Sequence, residues 1–379
     1  MRSPSHLIHK SPRLPLPLRP APPSTSTASP RTKSENSSPT SIASPPMRSR
    51  HCFNVSPNPT RSDRYSRRTA IAVRPGQGTK SPVCVVEIST FAIKAGLLMS
   101  DIATLERIAS QVRRDIIRQT SEVQSGHPGG SLGCADFLTA LYFEVMDRSE
   151  GFRMDGSGED VFFLSNGHIS PAWYSVLARS GHFEVEELAT FRKLNSRLQG
   201  HPATHEGLPG VRVASGSLGQ GLSVAIGMAL AKRLNADDHL VYVLTGDGEL
   251  QEGQIWEAAM FAAHHKVDNL IATVDHNGQQ IDGPVSSVMG LGHMIERWQA
   301  FGWEVVHNPE GNDMRQIVHS LKQAKSLTGK GKPVVIIMDT EMGKGVDFME
   351  GTHEWHGKAA NAEQTVHALS QLKETLGDY

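Results

Sequence analysis

The sequence predicts an α/β domain, a mostly parallel sheet with helices on both faces, and three observations predict it. Short apolar runs of strand length alternate with stretches of helical periodicity, the pattern left by strand–helix–strand crossovers. One such run, "LVYVL" from Leu240, passes straight into "TGDGELQEGQ", as a buried strand does when it ends at a ligand. No internal repeat divides the chain into smaller units.

Each element has its own pattern. From Asp101 to about Val123, the residues Ile102, Leu105, Ile108, Ala109, Val112 and Ile116 recur at helical spacing. "QSGHPGGS" reads as a loop, a second helical pattern runs from Phe137 to Met146, and "DVFFLSNGHIS" reads as a short buried strand ending in a polar turn. A helix over 218–234 would place Leu222, Ile226, Leu230 and Leu234 on one face. A strand over 240–245, a helix over 254–265, strands over 270–274 and 304–306, a helix over 314–324 and a strand over 334–338 complete the order. Ligands of such sheets sit outside the carboxyl ends of the strands, where Asp247 falls.

Composition divides the chain. Residues 1–86 hold 15 of the 22 prolines and 14 of the 38 Lys and Arg, with Glu35 and Asp63 as their acids. The remainder carries 24 basic against 37 acidic residues, an acidic balance that argues against a nucleic-acid partner. The Pro/Ser/Arg-rich leader over 1–98 has no periodicity and too little apolar surface to offset chain entropy, so disorder is expected there. It reads as an over-extended reading frame, with Met99 standing just before the first helical pattern, as an organelle transit peptide, or as an interaction arm. The folded domain is expected over 99–379. No apolar run is long enough to span a bilayer, and Cys52, Cys84 and Cys134 lack metal spacing. A cytoplasmic setting without a membrane partner is expected, with organelle import as the alternative.

A carboxylate between glycines at a strand end lets backbone approach a bulky anion while the acid binds a hard cation. The next strand ends in "TVDHNGQQIDG", which puts Asn277 at an equivalent tip. An Asp, an Asn amide oxygen and a backbone carbonyl are the oxygen donors that Mg²⁺ takes beside phosphate. "ASGSLGQGLS" opens a helix with small residues and free N–H groups for an anion. It is not a Walker loop, because Gly-Lys-Ser/Thr does not occur. A lone Asp-Gly is ordinary turn chemistry. Two successive strand tips, each with an oxygen donor and a glycine, favour a metal-anchored diphosphate.

"GDGELQEGQIWEAA" followed by "DHNGQQIDG" resembles the thiamine diphosphate motif of transketolases. "SGHPGGSLG", "LSNGH", "QGHPA", "ASGSLGQGLS" and "GTHEWHGKA" resemble further transketolase segments, in the family's order, over about 101–358. The resemblance implies the thiamine diphosphate-binding fold and the N-terminal subunit of a split transketolase. It implies thiamine diphosphate and Mg²⁺ as cofactors, with Ca²⁺ or Mn²⁺ as substitutes, and a metal held by Asp247, Asn277 and the carbonyl of Gln279. The family often carries an apolar residue at Gln279, which matters little for a backbone donor. Gly248 would lie against the diphosphate, Gly216, Ser217 and Leu218 would line the cofactor, and His168 would touch the diphosphate side. His127, His201 and His356 would surround the reacting carbon, with His356 also contacting the cofactor.

A single histidine is more often structural, but four in matched segments suit proton handling near neutral pH. His353 is implied near the cofactor too, and Glu252 either in a carboxylate network between subunits or as a surface acid. In the family, the glutamate that ionises the cofactor and the main sugar-phosphate grips belong to other domains. The expected partner is therefore a C-terminal subunit carrying the pyrimidine-binding and C-terminal domains, in a heterotetramer, with no activity for the chain alone. The implied reaction moves a two-carbon ketol unit from a ketose phosphate to an aldose phosphate. Alternatives are a transketolase for a specialised sugar phosphate, a deoxyxylulose-phosphate synthase, a non-catalytic cofactor-binding module, or the E1 α-like subunit of a 2-oxo acid dehydrogenase.

Overall fold

The protein is described by a computed structural model over residues 101–149 and 151–379. The leader expected over 1–98 lies outside the described residues. The Asp101 carboxylate accepts the Thr104 N–H at 2.6 Å and opens α1 (Ile102–Glu122), an N-cap of the ordinary kind. Its apolar stripe, Leu105, Ile108, Ala109, Val112 and Ile116, is buried as the spacing requires. The polar face of α1 is covered as well. Arg114 donates to the carbonyls of Leu369 and Leu372 and pairs with Asp378, while Arg179 pairs with the buried Asp115.

The end of "QSGHPGGS", expected as loop, instead enters a short helix, α2 (Pro128–Gly133), with proline in its first turn. The glycines are there for approach. A Cβ on Gly129 would come within 2.9 Å of Met342 Cγ and the Trp355 carbonyl, and one on Gly133 within 2.9 Å of the Glu341 carbonyl. α3 (Ala135–Ala140) runs into a π-helical turn at Leu141–Val145, inside the predicted second helix.

Five strands form the main sheet: β1 (Val161–Leu164), β2 (Val241–Gly246), β3 (Leu270–His276), β6 (Glu304–Asn308) and β7 (Val334–Asp339). Their order is β1-β2-β3-β7-β6 and every pair is parallel. A hairpin of β4 (Gln279–Gln280) and β5 (Gly283–Pro284) follows β3. The remaining helices are α4 (Ser170–Arg179), α5 (Gln220–Leu234), α6 (Gly253–His264), α7 (Val285–Met289), α8 (Met294–Ala300), α9 (Met314–Leu327) and α10 (Ala362–Gln371).

Alternate residues of each strand enter opposite cores. Phe162, Tyr242, Leu244, Ile336 and Met338 pack with residues of α1, α4 and α9. Val161, Phe163, Val243, Val274 and Ile337 pack with residues of α5, α6 and α8. Both faces are covered, as a parallel sheet demands. Because all five strands run the same way, their carboxyl ends share one edge.

Two differences from the sequence reading have simple causes. Leu234 is 87% exposed, because α5 packs through a narrower stripe, Leu222, Ala225, Ile226 and Ala229, in which alanine lets the helix approach the sheet. α4 was not legible because every residue from Ser170 to Ala178 is buried, which removes the amphipathic period. Among the described residues, no helix is long and apolar enough to cross a membrane.

Leu244 is fully buried in the middle of β2. Leu244→Ala is expected to destabilise the fold by about 2–5 kcal/mol, read as a lower urea midpoint with an unchanged slope. An unchanged midpoint would contradict this account of the core.

Candidate functional site

The tips of β2 and β3 are locked together. Gly246 pairs with Asp275, and the Asp247 N–H donates to the Asp275 carbonyl at 3.1 Å. The Asp247 carboxylate is 1% exposed, and each of its oxygens accepts a backbone N–H at 2.7 Å, from Gly248 and from Gly278. Burial, reinforced by the neighbouring Asp275 carboxylate, pushes Asp247 up to about 7. Asp275 is buried as well, and its carboxyl is also raised by burial. It accepts the Thr340 hydroxyl, the Cys134 thiol and the Asn277 amide N–H, the last at 2.8 Å. The Asn277 amide oxygen is thereby turned away from Asp275 and accepts the Gln279 N–H at 2.9 Å. Asp247, Gly248, Asn277 and Gln279 are thus brought together at one strand edge. Two buried carboxylates beside an oriented amide oxygen offer the hard oxygen donors that fit a divalent ion.

Glycines shape the rest of the edge. A Cβ on Gly248 would press to 3.2 Å on Gln280 Cβ, and one on Gly167 would come within 2.7 Å of the Gly216 N–H nitrogen. Gly216 sits at φ +122, where a side chain would be strained, and its Cβ would meet the His201 ring at 2.7 Å. Ser217 and Leu218 follow it in the same loop and are exposed. The loop ends on Gly219, which caps α5.

Four histidines from four separate segments gather beside this loop. Ring centroids lie 5.1 Å apart for His127 and His168, 6.2 Å for His127 and His201, 5.7 Å for His127 and His356, and 5.0 Å for His168 and His356. Burial, then the neighbouring His356, Arg192 and His201, lowers His127 to about 4. His168, His201 and His356 are lowered too, each mainly by burial. Each of the four rings is thus shifted toward its neutral form, His201 from an exposed position. Buried polar atoms without a partner occur in the same segments: His127 Nδ1, His356 Nδ1, Asn166 Oδ1 and Ser215 Oγ. Such orphans call for an explanation, and a ligand site is one. Among the described residues, no group of three or more His, Cys, Asp or Glu is arranged to hold a metal by itself.

His353 stands one turn from His356 and lowers it further. Glu252 is exposed, whereas Glu249 is buried. The sequence reading passed over Glu249, Asp275, Asn166 and Arg192. Arg192 holds φ +56, donates to Ser125 Oγ at 2.7 Å, and would touch any Cβ on Gly200 through Nε at 2.5 Å. For Glu249 the available signal was its place inside the "GDGE" run. No local pattern marks Arg192.

His127 at about 4 in the fold, against an ordinary 6.5, means that the unfolded chain binds more protons between those values. Its contribution to stability is present above about 6.5 and is lost as pH falls toward about 4. His127→Asn is expected to flatten the fall in stability over that window, measured by urea unfolding at a series of pH values. An identical slope would refute the buried, neutral ring.

Residues 104–377 match the thiamine diphosphate-binding domain of transketolase. The chain is 38% identical over 271 residues to an apulose-4-phosphate transketolase subunit from Actinobacillus succinogenes, a match covering 71% of this chain and 96% of that protein. It is 37% identical over 269 residues to the 6-deoxy-6-sulfo-D-fructose transketolase subunit SqwG of a Clostridium species, again covering 71% and 96%. The solved transketolase of Campylobacter jejuni superposes with a TM-score of 0.66 at 34% identity, over 72% of this chain and 43% of that one. Since the match runs through nearly all of the described core and its fold agrees, this chain belongs to the transketolase family, in the part that is that family's thiamine diphosphate-binding domain.

Proposed function

We propose that this chain is the N-terminal subunit of a two-subunit transketolase, moving a two-carbon ketol unit from a ketose phosphate to an aldose phosphate with thiamine diphosphate and Mg²⁺. The observation that carries this reading is the clustering of four histidines, together with a buried carboxylate pair, at the carboxyl ends of the parallel strands. The ion would be held by Asp247, Asn277 and the Gln279 carbonyl, with Gly248 giving the diphosphate close access to backbone. Gly216, Ser217 and Leu218 would line the cofactor, His168 would contact the diphosphate, and His356 would reach both cofactor and sugar. Thiamine diphosphate, when bound, supplies the nucleophile for the ketose carbonyl and the sink for the charge left by carbon–carbon cleavage. His127, His201 and His356 would take and return protons at the sugar hydroxyls, which neutral imidazoles can do at pH 7.

A partner carrying the pyrimidine-binding and C-terminal domains is part of the reading. It is supported by the names of two similar proteins, each of which is a transketolase subunit. A specialised sugar phosphate is the second reading, favoured by the substrates named for the two subunit relatives.

Asp247→Ala is expected to abolish binding of thiamine diphosphate in the presence of Mg²⁺, measured by calorimetric titration. His201→Ala is expected to lower kcat by about 10²–10⁴-fold, with cofactor affinity held within a few-fold, in a ketol-transfer assay with the candidate partner subunit. The donors to compare are xylulose 5-phosphate, apulose 4-phosphate and 6-deoxy-6-sulfo-D-fructose, with ribose 5-phosphate among the acceptors. Cofactor binding without transfer from any of these donors would remove the ketol-transfer reading.

A further inference from the structure

We propose that Glu249 is the positioning residue that holds three loops of the cofactor site in register, a role that rests on the transketolase reading above. Glu249 lies in the 3-10 turn Gly248–Gln251, just past Asp247, and is 2% exposed. One carboxylate oxygen accepts the Gly219 N–H at 2.8 Å and the Ser165 hydroxyl, and the other accepts the Gly246 N–H at 3.1 Å. Ser165 Oγ in turn accepts the Gly221 N–H at 3.1 Å, which leaves its hydrogen for Glu249.

These donors come from three separate stretches of chain. Ser165 follows β1 and leads into Asn166, Gly167 and His168. Gly219 and Gly221 follow Gly216, Ser217 and Leu218 at the entry to α5. Gly246 ends β2 and precedes Asp247. The knot is closely packed. Gly219 holds φ +86 with its missing Cβ 2.9 Å from Glu252 Cβ, and a Cβ on Gly221 would overlap Ser165 Cβ.

All three groups facing Glu249 are donors, so a carboxylate satisfies them and an amide cannot. In Glu249→Gln the amide NH₂ must face at least one N–H or O–H, which loses a hydrogen bond and leaves a buried donor without a partner. The effect of Glu249 on a ligand passes through the His168 loop, the Gly216–Leu218 loop and the Asp247 tip.

The test titrates the full chain and its variants with thiamine diphosphate at saturating Mg²⁺, and follows hydrogen exchange in the cofactor-free chain. Glu249→Gln is expected to raise the Kd by about 10- to 100-fold while the thermal midpoint moves little. Exchange should accelerate in 165–168, 215–222 and 246–249 but not in α1 or α9. A Kd within twofold of wild type, or unchanged exchange in those segments, would overturn the proposal. So would a loss of affinity matched by faster exchange everywhere, the mark of a purely structural role. If Glu249→Gln does not fold, Ser165→Ala removes one donor and keeps the carboxylate. It is expected to weaken binding by about 3- to 10-fold, and wild-type affinity would overturn the proposal. A wild-type chain that does not bind the cofactor would defeat the transketolase reading itself, and the positioning role with it.

Discussion

A carboxylate survives at the end of a buried strand only if donors surround it, and the site depends on how that condition is met at Asp247. Its two N–H partners come from Gly248, on its own turn, and Gly278, beyond the neighbouring strand. Both are in reach only while β2 and β3 keep their register, Gly246 opposite Asp275. Register in turn follows from the alternation that sends Leu244 into one core and Val243 into the other, since a slip by one residue would exchange them. The two apolar cores therefore determine where one pair of oxygens points.

Burial then acts on acids and bases in opposite senses with a common outcome. Asp247 and Asp275 are raised and the four histidines are lowered, so each group is pushed toward its neutral form. At the strand tips a divalent ion would oppose that shift and favour the ionised carboxylates. In the histidine cluster the same effect favours imidazoles that can accept a proton. Arg192 adds positive charge on the histidine side, disfavouring protonation of His127 and His201. The proposed ion site and the histidine cluster can thus sit side by side because a single edge of the sheet serves both.

Much of this was legible in the sequence where a local pattern had one physical meaning. The apolar run before Gly246, and the oxygen donors after it and after β3, read correctly as two strand tips because an acid and an amide interrupt apolar stretches there. Other elements carried no such contrast. α4 is buried on all sides and so has no polar face, and the glycines of α2 read as loop because their packing partners lie about 200 residues away, at Met342 and Trp355. Glu249 and Glu252 are equivalent as text. Their difference lies in what surrounds them, Ser165 and Gly219 about the first and solvent about the second.

By itself the sequence determined the α/β alternation and the two strand tips with Asp247 and Asn277, because periodicity and residue chemistry are properties of short stretches, while the histidine-bearing segments stood out only through their resemblance to transketolase motifs. Tertiary structure alone decided that four histidines separated by up to about 230 residues share one edge, that their surroundings shift them toward the neutral form, and that Glu249 joins three loops. Proximity, desolvation and hydrogen-bond partnership depend on which distant segments meet, and no local pattern carries that information.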